Sequence, residues 1–201
     1  MITVLLADDE HLVRTALATL LGLDDDLSVV AQAASGPEAV AMALRHRPDV
    51  ALLDLQMPGL DGIAVAAALH RDLPACPTII LTSHGRPGHL KRALEVGVRG
   101  FLPKTTSGTV LAQVIRSVHG GGRYVDPELA AEAIAAGHSP LTRREADVLE
   151  LAADGAPIDE IAQRALLSAG TVRNYLSSAA GKLGAANRHE AVATARRLGW
   201  I

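Results

Sequence analysis

A single cysteine, Cys76, occurs in 201 residues, which excludes an internal disulfide and any zinc site built from a cysteine cluster. Aromatic side chains are nearly as scarce, at 2% of the chain, although 49% of the residues are hydrophobic, so the cores must be packed from Ala, Leu, Val and Ile. No apolar run approaches the ~20 residues that span a bilayer, and the N-terminus has neither a basic stretch nor a cleavage site. A soluble, cytoplasmic chain without membrane insertion is expected. A strong charge of one sign is also missing. Residues 139–201 hold eight Lys and Arg against seven Asp and Glu, a net of +1, and the remainder holds eleven against fifteen, a net of −4. Contact with a nucleic acid must then come from local placement and not from a global field. Lysine is limited to Lys91, Lys104 and Lys182.

What the first half does contain is a set of polar residues that each follow a short apolar run: Asp8 and Asp9 after Val4–Ala7, Asp54 after Val50–Leu53, Thr82 after Ile79–Leu81, and Lys104 after Gly100–Pro103. Apolar runs of that length between helical stretches read as buried strands of a parallel sheet. The pattern predicts strands at 2–7, 28–33, 49–54, 78–82 and 99–102, alternating with helices near 10–22, 36–47, 61–72, 87–96 and 107–119. Five such units imply right-handed crossovers and a doubly wound sheet. The five polar residues then converge at its carboxyl edge, where open α/β sheets place their sites. Asp8, Asp9 and Asp54 would repel one another unless a cation sat among them, and an all-oxygen set favours Mg²⁺. Asp54 becomes a nucleophile towards a phosphoryl donor, with Lys104 to neutralise the added charge and Thr82 to donate to a phosphate oxygen. Acidic residues that merely cap the following helices are the alternative for any one of them.

The segments Leu6-Ala-Asp-Asp-Glu10, Leu53-Asp-Leu-Gln-Met-Pro-Gly-Leu-Asp-Gly62, Leu81-Thr-Ser83 and Gly100-Phe-Leu-Pro-Lys104 resemble the receiver domain of bacterial two-component response regulators. The resemblance implies Asp54 as phosphoacceptor, Asp9 as a direct Mg²⁺ ligand, Asp8 as a ligand partly through water, and the backbone carbonyl of Gln56 as a further ligand. It also implies Thr82 and Phe101 as the switch hydroxyl and switch aromatic, and Lys104 as the phosphate-binding lysine. His84 and His89, near the switch loop, read as metal ligands or as exposed loop histidines, the second being preferred.

Gly120-Gly-Gly122 breaks the alternation, Asp126-Pro127 opens an Ala-rich helix to about Ala136, and Gly137-His-Ser-Pro140 ends it. From Leu141 the pattern is helical throughout. Thr142 with Glu145 three residues on reads as a capping box. Two helices, 158–165 and 169 to about 183, are joined by Leu166-Leu167-Ser168, the spacing of a helix-turn-helix. In the second of these, Val172, Leu176, Ala179 and Leu183 recur at helical intervals and should face a core, leaving Thr171, Arg173, Asn174, Ser177 and Ser178 outside. Arg reads guanine, Asn reads adenine, and Ser or Thr reaches phosphates or bases; a merely solvated polar face fits the bare pattern as well.

Leu141-Thr-Arg-Arg-Glu-Ala-Asp-Val-Leu149, Glu160-Ile-Ala162, Gly170-Thr-Val-Arg-Asn-Tyr175 and Lys182-Leu-Gly184 resemble the LuxR-type DNA-binding domain. Receiver plus this domain is the NarL/FixJ class, with a narrower likeness to its DesR-type subgroup in Arg86-Pro-Gly88, the recognition helix and Gly199-Trp200. The likeness implies Arg173, Asn174 and Ser177 as base-facing, and Ser168, Thr171 and Lys182 as phosphate contacts. It implies a last helix, 189–198, at a dimer contact on DNA, and Gly181 is expected to end the recognition helix early.

The expected architecture is an α/β receiver at 1–120 with a flavodoxin-like five-stranded parallel sheet, a helical linker at 121–138, and an all-α four-helix helix-turn-helix domain at 139–201. The expected function is a DNA-binding transcriptional regulator, phosphorylated at Asp54 by a sensor histidine kinase and driven by that towards a homodimer on promoter DNA. The competing readings are a phosphorylation-independent regulator and an aspartyl-nucleophile phosphatase. Phosphatases of the haloacid-dehalogenase type carry a second Asp two residues past the nucleophile, where this chain has Gln56.

Overall fold

The computed structural model describes residues 1–83, 87–135, 137 and 139–201, so the expectations placed on His84, Arg86 and His138, and on the helix end near Ala136, lie outside the described residues. The chain forms two compact units, one holding the described residues of 1–85 and 90–130, the other holding those of 131–201 together with residues 87–89. No helix among the described residues is long and apolar enough to cross a membrane.

In the first unit, β1 (Ile2–Ala7), β2 (Leu27–Ala33), β3 (Val50–Asp54), β4 (Thr78–Thr82), β5 (Gly100–Pro103) and β6 (Tyr124–Val125) form one parallel sheet in the order β2-β1-β3-β4-β5-β6. Its helices are α1 (His11–Leu21), α2 (Gly36–His46), α3 (Gly62–Asp72), α4 (Pro87–Glu95) and α5 (Gly108–His119). Every residue of β3 and β4 is buried, which is why these strands read as continuous apolar runs and not as alternating ones. The core beneath them is aliphatic: Val4, Leu6, Leu52, Ile79 and Leu81 of the sheet pack with Leu111 and Ile115 of α5. Ser35, Asp61 and Ser107 each accept the backbone N–H three residues on and so cap α2, α3 and α5. His89 stands half-buried within α4, inside the helix expected at 87–96, and is not an exposed loop histidine.

The sheet has six strands, where the sequence pattern predicted five. After α5 the chain reverses at Gly121, which adopts φ +88°, a conformation that favours glycine. It then returns alongside β5, with Tyr124 N–H donating to Arg99 and Asp126 N–H donating to Phe101. Two residues between a glycine run and Asp-Pro carry no detectable periodicity, so the sequence alone assigns them to the linker. Beyond it, the Asp126 carboxylate accepts from the N–H groups of Glu128 and Leu129 and starts α6 (Pro127–Ala135).

The second unit contains α7 (Arg143–Leu151), α8 (Ile158–Ala165), α9 (Ala169–Lys182) and α10 (Arg188–Arg197). Val148 and Leu149 of α7, Ile161 of α8, Val172, Leu176 and Ala179 of α9, and Ala191 and Ala195 of α10 close one core. The Thr142–Glu145 capping box is present. One expectation fails: Gly181 does not end α9 early. The helix runs through it to Lys182, and the chain leaves at Gly184, φ +64°, the left-handed position after a helix C-cap.

A Cβ at Gly181 would meet nothing within 4 Å. Gly181→Ala should therefore stabilise this unit by about 0.5–1 kcal/mol through helix propensity alone. The measurement is urea unfolding followed by the fluorescence of Trp200, the single tryptophan, which packs on this core.

Candidate functional site

The strand register assembles the acidic pocket. Ala7 of β1 pairs with Leu53 of β3, so Asp8, one residue past β1, comes beside Asp54. Asp54 pairs with Leu81, and Thr82 pairs with Pro103, which brings Lys104 to the same edge. Asp8, Asp54 and Thr82 are buried, at 1%, 6% and 2% exposure, while Asp9 is open to solvent. One carboxylate oxygen from each of Asp8, Asp9 and Asp54 lies within 4.8 Å of the others. Asp9, Glu10, Asp54, Gln56, Thr82 and Lys104 line a cavity of about 190 Å³ over them. All five residues expected to converge do so, and Gln56 stands at the rim.

The Lys104 ammonium lies 2.8 Å from Asp8, 3.3 Å from Asp54 and 3.2 Å from Glu10. Burial pulls this ammonium towards neutrality, but the carboxylates of Asp8 and Asp54 outweigh it and hold its pKa above the ordinary lysine value. For Asp54 the balance goes the other way. Burial, reinforced by the neighbouring Asp8, overrides Lys104 and raises its pKa from 3.8 to about 6. One lysine does not neutralise the carboxylates gathered here. An all-oxygen set with excess negative charge fits a hard divalent cation. The backbone of Asp54 has a glycine behind it, because a Cβ on Gly62 would come within 2.2 Å of the Asp54 carbonyl oxygen. Phe101 is fully buried on β5, paired between Ile80 and Val125.

Glu10 and Gly62 were missed as site residues by the sequence reading. Glu10 follows the acidic pair directly, and its adjacency was the available signal. Nothing in a lone sequence announced the close approach at Gly62.

On α9, Arg173, Asn174 and Ser177 are exposed, while Val172, Leu176 and Ala179 are buried, as helical spacing predicted. Ser168 is the N-cap, accepting from Thr171 N–H, and the two hydroxyls lie 2.8 Å apart. Lys182 is differently occupied: its ammonium donates to Glu145 Oε2 at 2.6 Å, and Ser178 donates to Glu145 Oε1 at 2.6 Å. Burial alone would raise the Glu145 pKa, but Lys182, Ser178 and Thr142 together bring it down to about 2. Glu145 thus ties α7 to the C-terminal half of α9. The phosphate contact expected of Lys182 must compete with this ion pair.

The raised Asp54 pKa has a definite sign. Between pH 3.8 and about 6 the folded protein keeps a proton that the unfolded chain has released, so stability falls as pH rises through that window. Asp54→Asn should flatten this slope and, without metal at neutral pH, raise the unfolding temperature by a few degrees. Mg²⁺ should raise the unfolding temperature of the wild type and leave that of the variant nearly unchanged. Differential scanning calorimetry across pH, with and without Mg²⁺, checks all three.

Residues 4–116 match the family model described as the response regulator receiver domain, and residues 139–195 match the LuxR family of bacterial regulatory proteins. The chain is 42% identical to the transcriptional regulatory protein DesR of Bacillus subtilis over 201 residues, covering all of both chains. It is 38% identical to UhpA of Escherichia coli over 202 residues, again covering all of both. Among solved structures, the two-component response regulator RcsB in complex with DNA matches with a TM-score of 0.66 and 25% identity, over 97% of this chain and 98% of that one. A pocket built on Asp54 at a parallel-sheet edge, and a helix-turn-helix with its polar face exposed, fit these matches in both units. The chain belongs to the two-component response regulators that join a receiver domain to a LuxR-type helix-turn-helix, a family of DNA-binding transcription regulators and not of enzymes.

Proposed function

We propose that this chain is a transcription regulator switched by phosphorylation of Asp54, the phosphoryl group coming from a sensor histidine kinase. The observation that carries the reading is Lys104, 2.8 Å from Asp8 and 3.3 Å from Asp54 beside a cavity open to a donor. Mg²⁺, held by Asp8, Asp9, Asp54 and the Gln56 carbonyl, would screen charge on the incoming phosphoryl group. The residues of the chain do the rest. Asp54 supplies the attacking oxygen, Lys104 pairs with the negative charge that arrives, and Thr82 donates to a phosphoryl oxygen. Thr82 and Phe101 lie on the adjacent strands β4 and β5, two register positions apart, which suits a coupled repacking of the receiver surface. Such a regulator works in the cytoplasm, where kinase and promoter meet.

The DNA-binding unit carries a net charge of only +1 over residues 139–201. Electrostatic attraction to phosphates is then weak for one copy, and pairing two copies can multiply affinity by ~10²–10⁴. We read the phosphorylated form as a homodimer on promoter DNA with half-sites about one helical turn apart, α10 contributing to the contact between readers. The RcsB complex with DNA supports the DNA-facing role of this domain.

Light-scattering mass with Mg²⁺ and beryllofluoride tests the switch. The wild type should pass from monomer to dimer and Asp54→Ala should remain monomeric; an unchanged wild-type mass would remove dimerisation from the mechanism. A second experiment tests the reader. Arg173→Ala should cost about 1–3 kcal/mol of promoter affinity and relax sequence preference. Lys182→Ala should instead lower the stability of the domain by stranding buried Glu145, with little change in the salt dependence of binding. A salt slope reduced by about one would restore Lys182 as a phosphate contact.

A further inference from the structure

We infer that Glu10 is a positioning residue that holds Lys104 back from the incoming phosphoryl group and thereby sets how fast Asp54 is modified. The inference rests on Asp54 being the phosphoacceptor. Glu10 occupies the N-cap position of α1, yet its side chain makes no capping hydrogen bond. Its backbone N–H is taken by Asp8 Oδ1 at 2.8 Å, and its carboxylate reaches across the pocket to the Lys104 ammonium at 3.2 Å. Helix capping therefore does not explain this carboxylate. Metal binding does not explain it either, since the cluster able to hold an ion consists of Asp8, Asp9 and Asp54.

The three partners of Lys104 differ in freedom. Asp8 and Asp54 are fixed by strand ends and buried at 1% and 6% exposure, whereas the Glu10 side chain is 60% exposed. In phosphoryl transfer from acetyl phosphate, an Asp54 oxygen attacks phosphorus, the bond from phosphorus to the acyl oxygen breaks, and acetate leaves. The phosphoryl oxygens that arrive need the Lys104 ammonium, the only cation with a described ion pair in this pocket. Glu10 is the partner that must release it. A solvent-exposed carboxylate competing for that cation raises the barrier without touching the reacting atoms.

The test is the rate of Asp54 phosphorylation by acetyl phosphate in full-length protein at saturating Mg²⁺, read by phosphate-affinity electrophoresis for wild type, Glu10→Gln and Glu10→Asp. Aspartate keeps the charge but is one methylene shorter, which withdraws the carboxylate from Lys104. Both variants should be modified about two- to five-fold faster, the size expected for release of a largely exposed ion pair. Acceleration in Glu10→Gln alone would mean simple repulsion of an anionic donor and would overturn the inference. Equal rates in all three proteins, or slower variants, would overturn it as well. If the wild type takes no phosphate, or Asp54→Ala takes it equally well, the acceptor reading itself falls and the role of Glu10 with it. Circular dichroism of both variants guards against a folding defect, and Glu10 is exposed enough for none to be expected.

Discussion

The charge imbalance at the carboxyl edge of the sheet conditions everything else in the first unit. Parallel strands put their C-terminal ends side by side, so Asp8 and Asp54 are buried together with only Lys104 between them. A carboxylate taken out of water in this way has three exits: it binds a proton, binds a cation, or receives a group that recruits the cation. The Asp54 pKa of about 6 is the first exit made visible. The pocket is therefore poised, and what poises it is the geometry of the sheet and not any single reactive side chain.

The second unit holds the opposite case. Glu145 is also buried, at 4% exposure, yet its pKa sits near 2 because Lys182, Ser178 and Thr142 all donate to it. Two buried carboxylates in one chain are thus pushed in opposite directions: burial dominates at Asp54, whereas the donors around Glu145 outweigh it. Asp54 is held by fewer donors, with Lys104 at 3.3 Å shared with Asp8 and Glu10, and can respond to a ligand. Glu145 is saturated, which suits an anchor that fixes a recognition helix against its neighbour. Responsiveness and rigidity are both bought with buried charge here, and satisfaction of hydrogen bonds decides which one results.

The same contrast explains what could be read from the sequence. Strands β1, β3 and β4 were legible because burial on both faces leaves an unbroken apolar run, and α9 was legible because Val172, Leu176 and Ala179 repeat at the helical interval. The pocket was legible because its residues end those runs. Contacts between distant elements were not. The approach of Glu10 to Lys104, the space that Gly62 leaves for the Asp54 carbonyl, and the reach of Glu145 from α7 to Lys182 each need two elements already in place. β6 failed for a different reason, being two residues whose pairing is imposed by β5 and not by their own pattern. Gly181 misled because glycine propensity predicts a break, and the flanking contacts of Ala179 and Leu183 with the core override it.

That overlooked strand bears on how a change at Asp54 can travel. Phe101 and Thr82 are buried at 0% and 2%, and close-packed interiors switch between discrete arrangements more readily than they deform smoothly. A ligand shifts such an equilibrium only by its unequal affinity for the two arrangements, and a phosphoryl group drawing on Thr82 and Lys104 supplies that inequality at one spot. Phe101 is paired with Ile80 on one side and Val125 on the other. Its carbonyl accepts from Asp126, and the Asp126 carboxylate starts α6. Under the proposed switch, the residue that must repack is therefore one hydrogen bond away from the cap of the helix that leads out of the receiver.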